Sequence, residues 1–373
     1  MAKVIGKIGW PRLIIGIFLL ALFFACPLVG LNVQFAITDV IGRFGMNLVL
    51  ILSLVPMIQS GCGLNFGMPL GVVAGALGTV CSIELRTTGF VGLFTAIAIG
   101  CSFAALVGFI YGSILNRIKG DEMIIAVYIG IAFIAFMSLG WIKFLPFKNP
   151  ILLYGFGGNG LKPQITLNQN WAKVLDNVLS FKIGRIIEVP VGMLLFGALC
   201  CFLMWVFFRS KVGTAMTAVG SNPEYARASG VNVNKMRLIS VIISTVMAAL
   251  GAIVYYQHYT YVQVYMAPQS LTLPTVAAIL LGGAALKKAS IGNVLIGALL
   301  FYGIVTVAPM VAGEALSDIA EAVRTVIQNG MILFALTRKE SRGYVAPGAG
   351  PLNNWPDASL VGGGNMPSHP SEH

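Results

Sequence analysis

Apolar runs of about 20 residues recur along almost the whole of this chain, and each is long enough to cross a bilayer as a helix. In lipid a backbone must satisfy its own hydrogen bonds, which a helix does within one segment. The overall balance agrees: 57% of the 373 residues are hydrophobic and 10% are charged, against roughly 25% charged in soluble domains. An all-α, polytopic membrane protein is expected.

Many of the 44 glycines fall at small-xxx-small spacing, as in Gly71 to Gly75 and Gly108 to Gly112. Such spacing lets helix backbones approach closely in lipid and points to a tight bundle. The six cysteines (Cys26, Cys62, Cys81, Cys101, Cys200, Cys201) lie in or beside apolar segments. None forms a CxxC pair or stands at ligand spacing from a histidine, so they read as small buried hydrophobes, and no metal site is expected. Lys3, Lys7 and Arg12 precede the first apolar run without an Ala-x-Ala-like site after it, so that run reads as a retained first helix.

Hydropathy places about ten transmembrane helices, at 11–31, 40–60, 65–83, 90–115, 122–141, 186–208, 238–257, 270–286, 291–310 and 318–337. Loop charge tests the threading independently, because cytoplasmic loops collect Lys and Arg. With both termini cytoplasmic, the inner stretches hold Lys3, Lys7, Arg12, Arg117, Lys119, Arg209, Lys211, Arg227, Lys235, Arg237, Lys287, Lys288, Arg338, Lys339 and Arg342, which is 15 of the 24 basic residues. Short outward loops hold only Arg86. The extracytoplasmic loop 142–185 holds six more, but long translocated loops largely escape the rule. The net charge of +11 therefore belongs mainly to the inner face, where it meets anionic lipid, and nucleic acid is not needed to explain it. Residues 1–337 read as the membrane domain. The Gly-, Pro- and Ser-rich stretch 338–373 reads as a disordered cytoplasmic tail.

In the outward loop Trp171, Val174, Leu175, Val178 and Leu179 recur at helical spacing, with Lys173, Asp176 and Asn177 opposite. That pattern fits a helix lying at the membrane interface, or a platform for an extracytoplasmic partner.

The polar stretch Ala218–Arg237 interrupts two apolar segments within the cytoplasmic loop 209–237. Ser221 and Glu224 stand at capping-box spacing, while Asn222 before Pro223 offers a cap followed by a proline at the first helical position. Either arrangement starts a helix of about two turns through Tyr225, Ala226 and Arg227. Gly230 supplies a stop where a left-handed residue is wanted. A flexible connector needs none of this. A short rigid helix suits insertion into a cleft of another protein, or it is simply a well-capped interfacial helix.

The run GSNPEYARASGVNVNKMR resembles the cytoplasmic coupling segment of permease subunits of bacterial ABC importers, in the ribose/galactose and branched-chain amino acid group. The family pattern G-x-N-x-x-A-A-x-x-x-G-[IV] is matched by Gly220, Asn222, Ala226, Gly230 and Val231, with Tyr225 in place of one alanine. Leu273–Leu286 is similar to a second family stretch, with Leu281, Gly282, Gly283 and Leu286 in register. Lys287, Lys288, Ala289 and Ser290 replace its usual glycine-rich continuation. The resemblance covers 210–337 well and 40–140 loosely. It implies a coupling helix built from Gly220, Ser221, Asn222, Pro223, Glu224, Tyr225, Ala226, Arg227 and Gly230. It implies a second permease copy or paralogue, two cytoplasmic ATPase subunits, and an extracytoplasmic solute-binding protein. This chain has no G-x-x-x-x-G-K-[ST] loop to cradle phosphates, so ATP is expected to be used by the partner, with no cofactor and no catalytic residue here.

Polar residues at lipid depth mark an interior or an aqueous path. Candidates for the translocation path are Asn47, Gln59, Asn65, Arg324, Gln328 and Asn329. Pro56 and Pro69 flank the connector GCGLNFG, as in helices broken around a transport site. Against this, Arg43 fits a snorkelling side chain, Asn47 and Asn65 fit interhelical hydrogen bonds, Arg324 has Glu321 on its own helical face, and His258 fits an interfacial position. Few ionisable groups in the spans suit a neutral solute, a simple sugar first, with nucleosides or branched-chain amino acids as alternatives. A gradient-driven transporter would want a carboxylate at mid-bilayer, and a membrane enzyme would want a catalytic constellation. The sequence shows neither.

Overall fold

Helix dominates the computed structural model, which describes residues 10–118, 122–144, 147–153, 161–168, 170–183, 187–285, 288–315 and 320–337. The chain divides into a unit of residues 1–336 and a second of residues 337–373. The expected tail lies outside the described residues.

The first unit begins with α1 (Trp10–Leu28) and α2 (Val33–Leu52), the latter capped by Asn32, whose side chain accepts from the Gln34 amide. A short α3 (Val55–Gln59) follows, then α4 (Met68–Glu84), α5 (Gly89–Arg117) and α6 (Glu122–Leu139), which runs on into a π-helical turn at Gly140–Phe144. After the short β1 (Gln164–Thr166), α7 (Val174–Asn177), β2 (Phe181–Ile183) and β3 (Ile187–Val189), the chain returns through α8 (Val191–Arg209). Two short helices, α9 (Lys211–Ser221) and α10 (Pro223–Ala228), lead to α11 (Val233–Tyr259) and β4 (Tyr261–Gln263). The described part closes with α12 (Ala267–Ser270), α13 (Thr272–Leu281), α14 (Ile291–Ala315) and α15 (Ala320–Thr337).

Six helical stretches are long and apolar enough to cross a membrane: Val33–Gln59, Gly89–Arg117, Glu122–Lys143, Val191–Arg209, Val233–Tyr259 and Ile291–Gly313. Arg12–Leu28, Met68–Glu84, Ala267–Leu281 and Thr325–Phe334 are shorter apolar helices. Their surroundings differ. The most apolar window of Val33–Gln59 is 83% buried and that of Glu122–Lys143 only 22%, so the first is core and the second presents its apolar surface outward. α4 is buried on all sides, which its lack of an amphipathic pattern accommodates.

Small residues set that packing. A β-carbon on Gly71 would lie 2.6 Å from the Thr245 carbonyl, and one on Gly75 would lie 2.6 Å from the Ala249 carbonyl, so α4 rests directly on α11. Gly108 and Gly112 bring α5 onto the same helix, against Thr245 and Leu238. The two glycine pairs thus serve one three-helix contact, of the kind that lets backbones approach in lipid.

The apolar run 40–60 is one broken helix. Pro56 occupies the first turn of α3, where a missing amide leaves nothing unbonded, and Pro69 does the same in α4. The break frees backbone groups, and Ser244 donates to the Ser53 carbonyl at 2.6 Å from across the interface.

The all-α expectation needs one correction: β1 pairs antiparallel with β4, and β2 with β3. The first pair places Ile165 opposite Val262, both buried, and so ties the loop after α6 to the end of α11. A second correction concerns 171–179, where a single turn, α7, replaces the amphipathic helix. Lys173 and Leu179 both take left-handed φ of 52° and bound it. Trp171 is buried against Gly92, and Asp176 points inward rather than to solvent.

Candidate functional site

At one end of α11 the polar stretch is folded as a chain of capped helices. Ser210 accepts from the Gly213 amide at 3.2 Å and starts α9. Ser221 is the last residue of α9 and donates to the Thr217 carbonyl, so it caps nothing. Asn222 ends α9 and starts α10: its Oδ1 accepts from the amides of Glu224 at 3.1 Å and Tyr225 at 3.0 Å, with Pro223 in the first turn. Gly230 has φ +82°, the Gly230 amide reaches the Arg227 carbonyl, and the Val231 amide reaches Ala226. These two bonds are the Schellman pair that closes a helix C-terminus. Asn232 then accepts from the Lys235 amide and starts α11.

One face of α10 is anchored and the other is free of the bundle. Ala226 is buried with Val219, Val233 and Met236, while Glu224, Tyr225 and Arg227 are exposed, Tyr225 to 70%. Nearby, Arg237 of α11 pairs with Glu122 of α6 at 3.3 Å, and the Arg209 guanidinium lies 3.9 Å from the Trp205 ring centroid.

Gly220 connects this assembly to the membrane core. A β-carbon there would lie 2.0 Å from the Gln59 carbonyl and 3.0 Å from the Gly61 amide, so the end of α9 sits directly on the end of the broken helix. Gly61 itself has φ +75°, where a side chain is strained. The Gln59 side-chain amide donates to the Ala289 carbonyl. Val55, Gln59, Trp205, Thr217, Ala289 and Ser290 border a cleft of about 320 Å³.

Behind that contact runs a buried hydroxyl ladder. Ser60 and Ser240 hydroxyls are 2.7 Å apart, and Asn65 donates to Ser244 at 2.7 Å. Tyr111 donates to the other end of the Asn65 amide at 3.3 Å. Asn65 thus binds the GCGLNFG connector to α5 and α11 and is wholly buried. The serines escaped sequence reasoning, although Ser240 and Ser244 are four residues apart on α11 and so share a face.

The remaining path candidates do not gather at one point. Asn47 is buried on α2 and donates to the Arg43 carbonyl at 2.9 Å, while Arg43 pairs with Asp39 at 3.1 Å. On α15, Gln328 is half-buried and Asn329 exposed, and the Glu321 and Arg324 side chains lie outside the described residues.

At the far end of α11, Asp176 is clamped. It accepts from the Gln257 amide at 2.9 Å with one oxygen and pairs with His258 Nδ1 at 2.7 Å with the other. Gln257 also accepts from the Leu175 amide at 3.2 Å. The Tyr265 hydroxyl donates to the Leu161 carbonyl, and partial burial pushes its pKa up, which keeps it a donor.

The family described as the permease component of branched-chain amino acid transport systems matches residues 36–336. Among individual proteins, the chain is 26% identical over 258 residues to the ribose import permease protein of Escherichia coli strain K12, covering 69% of this chain and 70% of that one. It is 26% identical over 266 residues to the fructose import permease protein of Rhizobium meliloti, covering 69% and 68%. It is 26% identical over 237 residues to a nucleoside ABC transporter permease protein of Lactococcus lactis, covering 62% and 60%. No solved structure matches the chain.

Proposed function

The chain belongs to the family of permease components of branched-chain amino acid transport systems, and on that premise we propose that it is the membrane subunit of an ATP-driven importer of a simple sugar. Relatives named for ribose and fructose import support the sugar, and a xylose transport permease of Haemophilus influenzae adds a third. The nucleoside relative makes nucleosides the second reading.

One observation carries the mechanism: the capped helix α10, exposed at Glu224, Tyr225 and Arg227, is joined through the Gly220–Gln59 backbone contact to a helix broken inside the bundle. In this reading α10 is the coupling helix and enters a cleft on a partner ATPase. Closure of the ATPases pushes α9 against Gln59–Gly61, and the α3 segment moves relative to α2 at the Ser53 break. The pathway then switches from outward-open to inward-open. Hydrolysis belongs to the partner, so this chain needs no cofactor of its own. A second permease copy or paralogue and a solute-binding protein complete the importer.

The threading follows. About ten spans leave both termini in the cytoplasm, put 209–237 inside and 142–185 outside, and leave 338–373 as a cytoplasmic tail. The two loops lie at opposite ends of α11, whose 27 residues span about 40 Å, enough to cross the bilayer.

The test pairs composition with coupling. A tagged chain purified gently from native membranes should carry an ATP-binding subunit in near-equal amount. In the reconstituted complex, Glu224→Ala with Arg227→Ala should leave insertion intact and abolish solute-linked ATP turnover. A chain that holds no ATPase in several mild detergents would instead point to a gradient-driven transporter.

A further inference from the structure

Toward the outer end of α11, four tyrosines converge. The Tyr255 and Tyr259 ring centroids are 4.7 Å apart, and those of Tyr259 and Tyr261 are 5.7 Å apart. Tyr302 of α14 belongs to the buried cluster against which Tyr255 and Tyr259 pack. Helix α2 closes the other side. Leu50 meets Gly251 and Gly42 meets His258, so α2 runs antiparallel to α11, and Asn47 lies between those two contacts, along the stretch of α11 that carries Tyr255.

Asn47 Oδ1 is buried and makes no hydrogen bond among the described residues, with Asn47 1% exposed. The Tyr302 hydroxyl, 7% exposed, faces the Thr275 hydroxyl. Thr275, beside Tyr302, donates its own proton to the Leu271 carbonyl at 2.7 Å. At lipid depth an unsatisfied polar group is costly and calls for a partner. Tyr255, Tyr259 and Tyr261 are only half-buried, so part of each ring remains open to a ligand.

We propose that this tyrosine cluster, with Asn47, is the intramembrane solute site of the permease, and that it takes the neutral, polyhydroxylated ring of a sugar. The proposal rests on the transport reading above. Flat aromatic faces with a few placed polar groups are the usual make-up of a small-molecule site. Here the rings offer apolar surface to the C–H face of a sugar, Asn47 Oδ1 accepts a hydroxyl proton, and the Tyr302 hydroxyl donates to a second sugar oxygen. Arg43, the cation nearest the cluster among the described residues, is balanced by Asp39 on its own helix. An amino-acid carboxylate would have to compete with that pair, whereas a sugar need not.

The whole importer in proteoliposomes, with its ATPase and binding protein, would be offered radiolabelled D-ribose, D-fructose, D-xylose, uridine and L-leucine. The solute that wild type moves is then used to measure solute transported per ATP hydrolysed in the variants. Tyr259→Leu, Tyr302→Phe and Asn47→Leu should each lower solute per ATP about tenfold, the effect of roughly one polar contact left unpaired, with ATP hydrolysis retained. Tyr128→Leu, on the exposed outer surface of α6, is the control and should change nothing. Unchanged solute per ATP in the three variants overturns the site, as does an equal fall of transport and hydrolysis, which would mark a role in the conformational switch. Uridine or leucine as sole solute overturns the sugar and leaves the variant pattern to judge the site. A wild type that moves none of the five defeats the transport reading and the proposal with it.

Discussion

Asn222 shows how one side chain decides between two local plans. It holds an extended φ of −151°, ends one helix, and gives its oxygen to two amides of the next. Ser221, one residue earlier, is still helical and spends its hydroxyl on Thr217. Asn222→Ala should therefore cost about 1 kcal/mol of local stability, within the range for lost N-caps, and Ser221→Ala should cost close to nothing. Hydrogen exchange of the Glu224 and Tyr225 amides would separate the two, and equal effects would refute the cap assignment. Gly220 is the stricter position. Any β-carbon there meets the Gln59 carbonyl at 2.0 Å, so Gly220→Ala should lower the stability of the purified permease by about 1–3 kcal/mol, as overpacking does. Thermal melting in detergent measures this. Gly230, with open space around it, asks only for a residue that tolerates positive φ.

Helices and loops show where periodicity misleads. Trp171 to Leu179 has the spacing of an amphipathic helix, yet only Val174–Asn177 is helical. The reason is tertiary: Trp171 is drawn against Gly92, Asp176 is captured by Gln257 and His258, and the chain turns left-handed at both sides. These two anchored side chains outweigh the small propensity of a two-turn helix. Removing the clamp should release the loop. Asp176→Ala is expected to speed proteolytic cleavage within 142–185 several-fold while leaving α11 folded, because the lost bonds are worth about 1–3 kcal/mol. Limited proteolysis of wild type and variant side by side would show it, and identical cleavage would mean that the β1–β4 pairing alone holds the loop. The broken second span is the opposite case. Pro56 and Pro69 mark a break in the sequence, and the helices do restart at those two points. What the prolines do not reveal is the hydroxyl ladder behind them, since Ser60, Ser240 and Ser244 are ordinary residues until three segments bring them together.

For the molecule as a whole, the two ends of α11 carry different chemistry, capped cationic helices at one and the Asp176 clamp with short strands at the other. The proposed threading makes a direct prediction. In a chain with its native cysteines replaced, a cysteine at Lys162 should react with an impermeant maleimide on intact cells, and one at Tyr225 only after the inner membrane is opened. Labelling in the reverse order would invert the topology. Hydropathy and local pattern sufficed for the membrane class, the mostly helical fold and the capped polar stretch, because each depends on a run of neighbouring residues and on the solvent around it. The family resemblance was also legible, in Gly220, Asn222, Ala226, Gly230 and Val231, since helix stops and caps are written locally. Only the tertiary structure decided what the polar residues touch. Asn65 turned out to be an internal tie, Asn47 a buried group with an unused oxygen, and Gly220 the contact point between α9 and the broken helix. The roles of Asn65 and Gly220 depend on partners about 160 to 180 positions away along the chain, and no local pattern specifies which distant group will arrive at 3 Å.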